Sequence, residues 1–246
     1  MSKIIYTLLL TLCLVTSLVA QETAQSIIQK VDNNQVFNTQ YFEAEMTIQK
    51  GKRELTKKFY GYGKKEGQKS FMEFTNPEDK GVKYLKLDNE LWIYFPDADD
   101  IMKISGHMLR QGMMGSDISY EDMLENESLD KKYKYELLAD EKVEDQECYV
   151  VQLLAKQPTV TYAKQIIRVD KKKFIPLEIE MYAKGGRLIK KIIQTKLEKN
   201  GSRWNAKKME IKDMRKKNSS TIVEFEKIKF DDTVPSKVFT KAYLRR

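Results

Sequence analysis

Tyr41-Phe42-Glu43-Ala44-Glu45-Met46-Thr47-Ile48-Gln49 alternates apolar and polar side chains over a full strand length. Successive side chains of a strand point to opposite faces. Phe42, Ala44, Met46 and Ile48 therefore share a buried face, and Glu43, Glu45, Thr47 and Gln49 a wet one. Working outward, Leu55 to Tyr62 ends in Gly61 and Gly63, and Ser70 to Thr75 stops at Asn76-Pro77. Val82 to Leu87 faces Leu91 to Phe95 across Asp88-Asn89-Glu90, a tight hairpin. Leu91-Trp92-Ile93-Tyr94-Phe95 is apolar on both faces, which predicts one side on the main core and the other under a second apolar surface.

The second half reads as a clearer meander. Tyr149 to Leu154 and Thr159 to Val169 lead into Ile175, Leu177, Ile179 and Met181, which alternate with Glu178, Glu180 and Tyr182. Lys184-Gly185-Gly186 turns the chain into Leu188 to Leu197. Asn200-Gly201 is a strong hairpin signal, with both turn positions expected at positive φ, and Trp204 to Asp213 follows. Along Thr221 to Phe230, Val223 and Phe225 hold one phase while Ile228 and Phe230 hold the other. That phase change predicts a bulge or bend near Glu226-Lys227, as a curling sheet needs. Pro235 to Leu244 closes the chain, with Val238, Phe239 and Leu244 expected to dock on the sheet.

Upstream of the strands, Ala24, Ile27, Ile28 and Val31 follow helical spacing within Thr23 to Phe37, and Asp32-Asn33-Asn34 is expected to begin breaking that helix. The first twenty residues read as a signal peptide cut near Ala20–Gln21. Lys3 gives a basic start, Ile4 to Val15 an apolar run, and Thr16 to Ala20 a small-residue exit. A retained membrane anchor is the alternative. Cys13 follows Leu12, where a lipobox requires a small residue, so Cys13 goes with the leader and Cys148 is left as the lone cysteine, read as a buried small hydrophobe. Loss of residues 1–20 removes one charge, Lys3, so the net charge falls from +8 to +7. The remaining length suits a single β domain over residues 21–246. Acids are interleaved with the lysines, so the basic balance reads as a solvated β surface or an attraction to anionic lipid headgroups; no nucleic-acid partner is expected.

Between Ile104 and Tyr133 the strand alternation lapses. Gly106, Gly112 and Gly115 loosen the backbone, and Ser119 starts a short helix over Tyr120 to Leu124. The chain's only histidine, His107, lies here, which removes imidazole-cluster metal sites, and one cysteine removes thiolate clusters. With no phosphate-binding glycine loop either, no cofactor or metal is expected. His107 with Ser105 or Ser116 and Asp117 can be drawn as a hydrolytic triad, a weak proposal because no nucleophile-elbow pattern surrounds it. Met102, Met108, Met113, Met114 and Met123 crowd the same stretch. Flexible methionines suit either a lid over a variable apolar guest or the filling of the core below.

Trp92-Ile93-Tyr94-Phe95-Pro96, Lys103-Ile104-Ser105-Gly106 and Gly115-Ser116-Asp117-Ile118-Ser119-Tyr120-Glu121-Asp122-Met123 lie between a leader, helix and strands and a closing Pro235 to Phe239 segment. In this order they resemble the outer-membrane lipoprotein-sorting proteins of the LolA-like superfamily. The resemblance implies a mainly β fold, a half-open, incomplete antiparallel barrel wrapped around short helices; the Met- and Gly-rich stretch at about 102–132 is read as its loop or lid. It also implies a non-enzymatic periplasmic carrier that holds lipid or lipoprotein acyl chains on its concave face and exchanges them with the outer membrane. An RND/MMPL-type transporter or an outer-membrane acceptor is the implied partner. A transporter adaptor without lipid cargo and a weak lipid hydrolase at His107 are the alternatives. The expected lining is Trp92, Tyr94, Met108, Met113, Met114 and Tyr120, with Phe42, Met46 and Ile48 deeper.

Overall fold

A computed structural model describes residues 22–64, 68–125 and 127–246. The leader over residues 1–20, its cleavage point and Cys13 lie outside the described residues. Helix α1 (Ala24–Gln35) is started by a capping box: Thr23 Oγ1 accepts from Ser26 N at 3.1 Å, and Ser26 Oγ accepts from Thr23 N at 3.0 Å. Ile27, Ile28 and Val31 form its buried face. The Asp32-Asn33-Asn34 tract does not break the helix, because two of its side chains find backbone partners elsewhere. The Asp32 carboxylate accepts from Leu129 N (3.1 Å) and Asp130 N (3.3 Å), and Asn34 Nδ2 donates to the carbonyls of Lys173 and Phe174, both at 2.9 Å.

The first strands are β1 (Thr39–Lys50), β2 (Arg53–Lys64), β3 (Lys69–Phe74), β4 (Lys83–Leu87), β5 (Glu90–Phe95) and β6 (Asp100–Ile104). The later ones are β7 (Tyr133–Leu137), β8 (Glu141–Val143), β9 (Gln146–Ala155), β10 (Lys164–Asp170), β11 (Pro176–Tyr182), β12 (Leu188–Asn200), β13 (Arg203–Asp213) and β14 (Ser219–Phe230). They form one antiparallel sheet in the order β6-β5-β4-β3-β2-β1-β14-β13-β12-β11-β10-β9-β7, with β8 paired to β9. β6 and β7 follow each other in sequence yet stand at opposite ends of this order, so the barrel is left open. Residues 105–132, carrying α2 (Tyr120–Leu124) and α3 (Leu129–Lys132), connect the two free edges. The mainly β, incomplete antiparallel barrel is thus the observed fold. No helix among the described residues is long and apolar enough to cross a membrane.

Several local expectations change in detail. Gly61 does not end a strand; β2 runs through it. Phe42 pairs with Gly61 across β1 and β2, and a β carbon there would lie 2.4 Å from the Phe42 ring and 2.8 Å from the Phe71 carbonyl oxygen. The glycine makes room for the ring. The hairpin between β12 and β13 turns at Gly201-Ser202, one residue later than expected, and only Gly201 takes a positive φ (64°). The segment from Thr159 to Ala163 is irregular, and β10 starts at Lys164. The bulge lies where the phase change placed it: Glu43 pairs with Lys227 and Ala44 with Phe225, leaving Glu226 as the extra residue of β14.

The concave face is filled from both ends. On one side α1 packs Ile27, Ile28 and Val31 against Tyr133, Val151, Leu153, Ile167 and Val169. On the other, the 105–132 excursion packs against Met46, Ile48, Phe74, Tyr84, Leu91 and Ile93. The opposite face of β3–β5 is covered by the C-terminal segment, where Val238, Phe239 and Leu244 of the final turns (α4, Lys241–Leu244) meet Phe71, Leu85, Trp92 and Tyr94. This is the second apolar surface that the two-faced Leu91–Phe95 strand requires.

Candidate ligand cavity

Between the two fillings, over β11, β12 and β13, the concave face stays partly empty. A cavity of about 610 Å³ lies there, within the size range of ligand sites. Its floor is a row of cross-strand partners: Ile167 pairs with Ile179, Ile179 with Ile192, and Ile192 with Ile211. β-Branched side chains standing side by side on a pleated surface make a stiff apolar bed. Met181 and Met209 flank the row, Val31 and Phe37 close it from the helix side, and Ile118 and Leu129 come from the excursion. The rim is polar, with Asp32, Gln40, Glu125, Glu127 and Ser128.

Two carboxylates of the Gly115–Met123 block pin the excursion to the sheet. Asp117, almost fully buried, accepts from Ser219 Oγ (2.8 and 2.9 Å) and pairs with Lys216 at 2.9 Å, while its own N–H donates to Thr221 Oγ1 at 2.8 Å. Asp122 accepts from Ser119 N at 2.7 Å as part of the capping box of α2, from Tyr162 Oη at 2.7 Å, and from the ammonium of Lys190. Asp122, Tyr162 and Lys190 all line the cavity. Burial, followed by the neighbouring Asp122 charge, pushes the Tyr162 phenol well above its usual range. Beside them, burial pushes the Asp213 carboxyl up, but the paired hydrogen bonds from Arg215 (both 2.8 Å) outweigh it and hold the group below the ordinary range. At the mouth, burial raises the Asp32 carboxyl against the pull of its two backbone donors. Gly112 lets the excursion fold tightly, since a β carbon there would meet the Ser116 carbonyl oxygen at 2.0 Å.

The residues expected to line the cavity go elsewhere. Met46, Ile48, Met113 and Tyr120 are buried in the main core, with Phe42, Met108 and Met114 packed against it. Trp92 and Tyr94 point to the opposite face, under the C-terminal segment. None of the nine touches the cavity. The excursion does roof it, but through Ile118, Asp122, Glu125 and Leu129, while the five clustered methionines fill the core below. Face alternation separates the inner from the outer side of a strand; it does not show where along a curved sheet the inner side stays uncovered. The missed residues carry a readable signal: the hairpins at Gly186 and Gly201 place Ile179, Ile192 and Ile211 opposite one another. The drawn triad is not assembled. His107 is exposed, makes no side-chain hydrogen bond among the described residues, and the Asp117 carboxylate is occupied by Ser219 and Lys216.

The chain has an open antiparallel half-barrel fold of the LolA-like type, with α1, α2 and α3 packed against its inner face. Residues 66–246 match the model of a family described as "Uncharacterized protein"-like, and the chain belongs to that family. Its fold is shared by a candidate outer membrane lipoprotein-sorting protein domain from Vibrio parahaemolyticus. That structure is 23% identical with a TM-score of 0.80, over 91% of this chain and 98% of that one. A DUF1329 family protein from Desulfovibrio piger is 27% identical with a TM-score of 0.81, over 91% of this chain and 100% of that one. A LolA superfamily protein from Nitrosomonas europaea is 23% identical with a TM-score of 0.73, over 91% and 100%. No curated protein sequence matches the chain.

Proposed function

We propose that the protein is a non-enzymatic periplasmic carrier that shelters the acyl chain of a lipid or lipoprotein and passes it to or from the outer membrane. The observation that carries this reading is the cavity of about 610 Å³ floored by Ile167, Ile179, Ile192 and Ile211. Each methylene moved from water onto such a surface contributes about 0.8 kcal/mol, so a long chain gains on the order of ten kcal/mol. The likeness to a candidate lipoprotein-sorting domain supports the same reading. In this scheme the roof formed by 105–132 opens to exchange the guest, and the handover partner is a transporter or an outer-membrane acceptor. Lipid extraction from protein purified under mild conditions, followed by mass spectrometry, tests it. A reproducible stoichiometric acyl lipid is expected; protein that is consistently lipid-free and takes up none when offered it contradicts the reading.

A further inference from the structure

Three hairpin ends meet along one rim of the half-barrel. The β1–β2 end carries Lys50, Lys52 and Arg53, the β11–β12 end Lys184 and Arg187, and the β13–β14 end Arg215, Lys216 and Lys217. They are neighbours in space: Gly51 N donates to the Asn218 carbonyl and Met214 N to the Ile189 carbonyl, both at 2.8 Å. Asp213 pairs with Arg215, and Asp117 with Lys216. Lys50, Lys52, Arg53, Lys184, Arg187 and Lys217 are exposed, and none of them has an ion pair among the described residues. Against these six cations, Glu54 is the one acid of the three hairpin ends that also lacks an ion pair among the described residues.

The same rim holds the two most exposed large apolar side chains among the described residues, Leu55 (51%) and Met214 (48%). Leu55 follows Arg53 by two positions, and Met214 directly precedes Arg215. Elsewhere on the molecule the outward charges are largely balanced: Lys191 meets Glu178, Lys196 meets Glu224, and Lys212 meets Glu210. The rim therefore differs from the rest of the surface in two independent ways, an excess of positive charge and apolar groups set among it.

We propose that this rim is a docking face for an anionic phospholipid bilayer. Attraction to a charged bilayer surface falls off within a Debye length, about 10 Å at moderate salt, so it favours cations gathered on one side of a protein, as these are. Long lysine and arginine side chains reach lipid phosphates while apolar neighbours enter the acyl boundary, a division of labour that Leu55 and Met214 fit. An acidic protein surface would answer the charges but not these two side chains. Docking here also meets the place where the excursion is fastened, since Asp117 is held by Lys216 and Ser219 of the same rim. The proposal goes beyond the carrier reading and does not depend on what the cavity holds.

The test is co-sedimentation of the chain from Gln21, the form expected after leader cleavage, with vesicles of phosphatidylcholine alone and of phosphatidylcholine mixed with phosphatidylglycerol. Binding to the mixed vesicles only is expected, and about 1 M salt should release it. Lys52→Ser, Arg53→Ser and Lys217→Ser together should weaken binding about 100-fold, at about fivefold per charge. Lys64→Ser, Lys69→Ser and Lys172→Ser remove the same charge from the opposite rim and should leave binding unchanged. Leu55→Ser with Met214→Ser keeps the net charge and should weaken binding about tenfold. Ile192→Trp, which fills the hollow, should dock as the parent does, so the docking face and the carrier reading fail separately. No binding to the mixed vesicles, equal binding to both compositions, or an equal loss from the opposite-rim variant would overturn the docking face. Binding untouched by Leu55→Ser with Met214→Ser would assign the rim to an acidic macromolecule and overturn the bilayer as its partner.

Discussion

Lys190, on the inner face of β12 and only 2% exposed, forms an ion pair with Asp122 of α2. One contact thus ties the roof of the cavity to its floor. The same carboxylate caps α2 and accepts from Tyr162, so the short helix, the sheet and the irregular segment before β10 meet at one group. A buried pair of this kind holds geometry more than it adds stability, and removing one partner strands the other.

Asp122→Ala should therefore destabilise the protein by about 3–5 kcal/mol, since it leaves the Lys190 charge buried without a counter-ion. Lys190→Met should cost less, because Asp122 keeps Tyr162 and Ser119 as donors. Urea denaturation of both variants and of the double variant checks this: the double variant should be more stable than Asp122→Ala.

Gly61→Ala should lower stability by about 1–3 kcal/mol through overpacking against the Phe42 ring. Phe42→Leu introduced into the Gly61→Ala protein should restore part of the loss. Full rescue is not expected, because the Phe71 carbonyl oxygen, 2.8 Å from where the alanine β carbon would sit, belongs to the backbone and does not yield. Melting temperatures of the two single variants and the double variant decide it.

Lys86 is 2% exposed, donates to the Leu124 carbonyl at the end of α2 at 3.1 Å, and has its ammonium pKa pushed down to about 8 by burial. Below that pH the folded protein carries a buried charge; between about 8 and 10.5 the unfolded chain holds the proton more readily than the folded one. Stability attributable to this group therefore rises with pH across that window, and Lys86→Met should flatten the rise. Denaturation curves of parent and variant at pH 7, 9 and 10.5 measure the difference; identical pH slopes would show that Lys86 is not the source.

Individual strands, hairpins and the bend of the sheet were legible because they rest on local chemistry. The alternation from Phe42 to Ile48, the phase change at Glu226 and the two-faced strand Leu91–Phe95 each led to the observed element. The start of the short helix at Ser119 was equally local. The cavity was not, because it is set by what fails to cover β11–β13, a relation among α1, the excursion and the sheet. The same distinction explains Trp92 and Tyr94: their alternation placed them together, but only the docking of Val238, Phe239 and Leu244 shows that their side faces away from the hollow.

If the space over Ile179, Ile192 and Ile211 receives a fatty chain, filling that space must expel it. Direct titration of a fluorescent fatty acid into the parent protein and into Ile192→Trp is the measurement. One saturable site is predicted in the parent, weakened at least about tenfold by the indole that fills the hollow, the equivalent of about 1.4 kcal/mol, with the fold retained. Undiminished binding in Ile192→Trp, or none in the parent, would contradict the carrier reading.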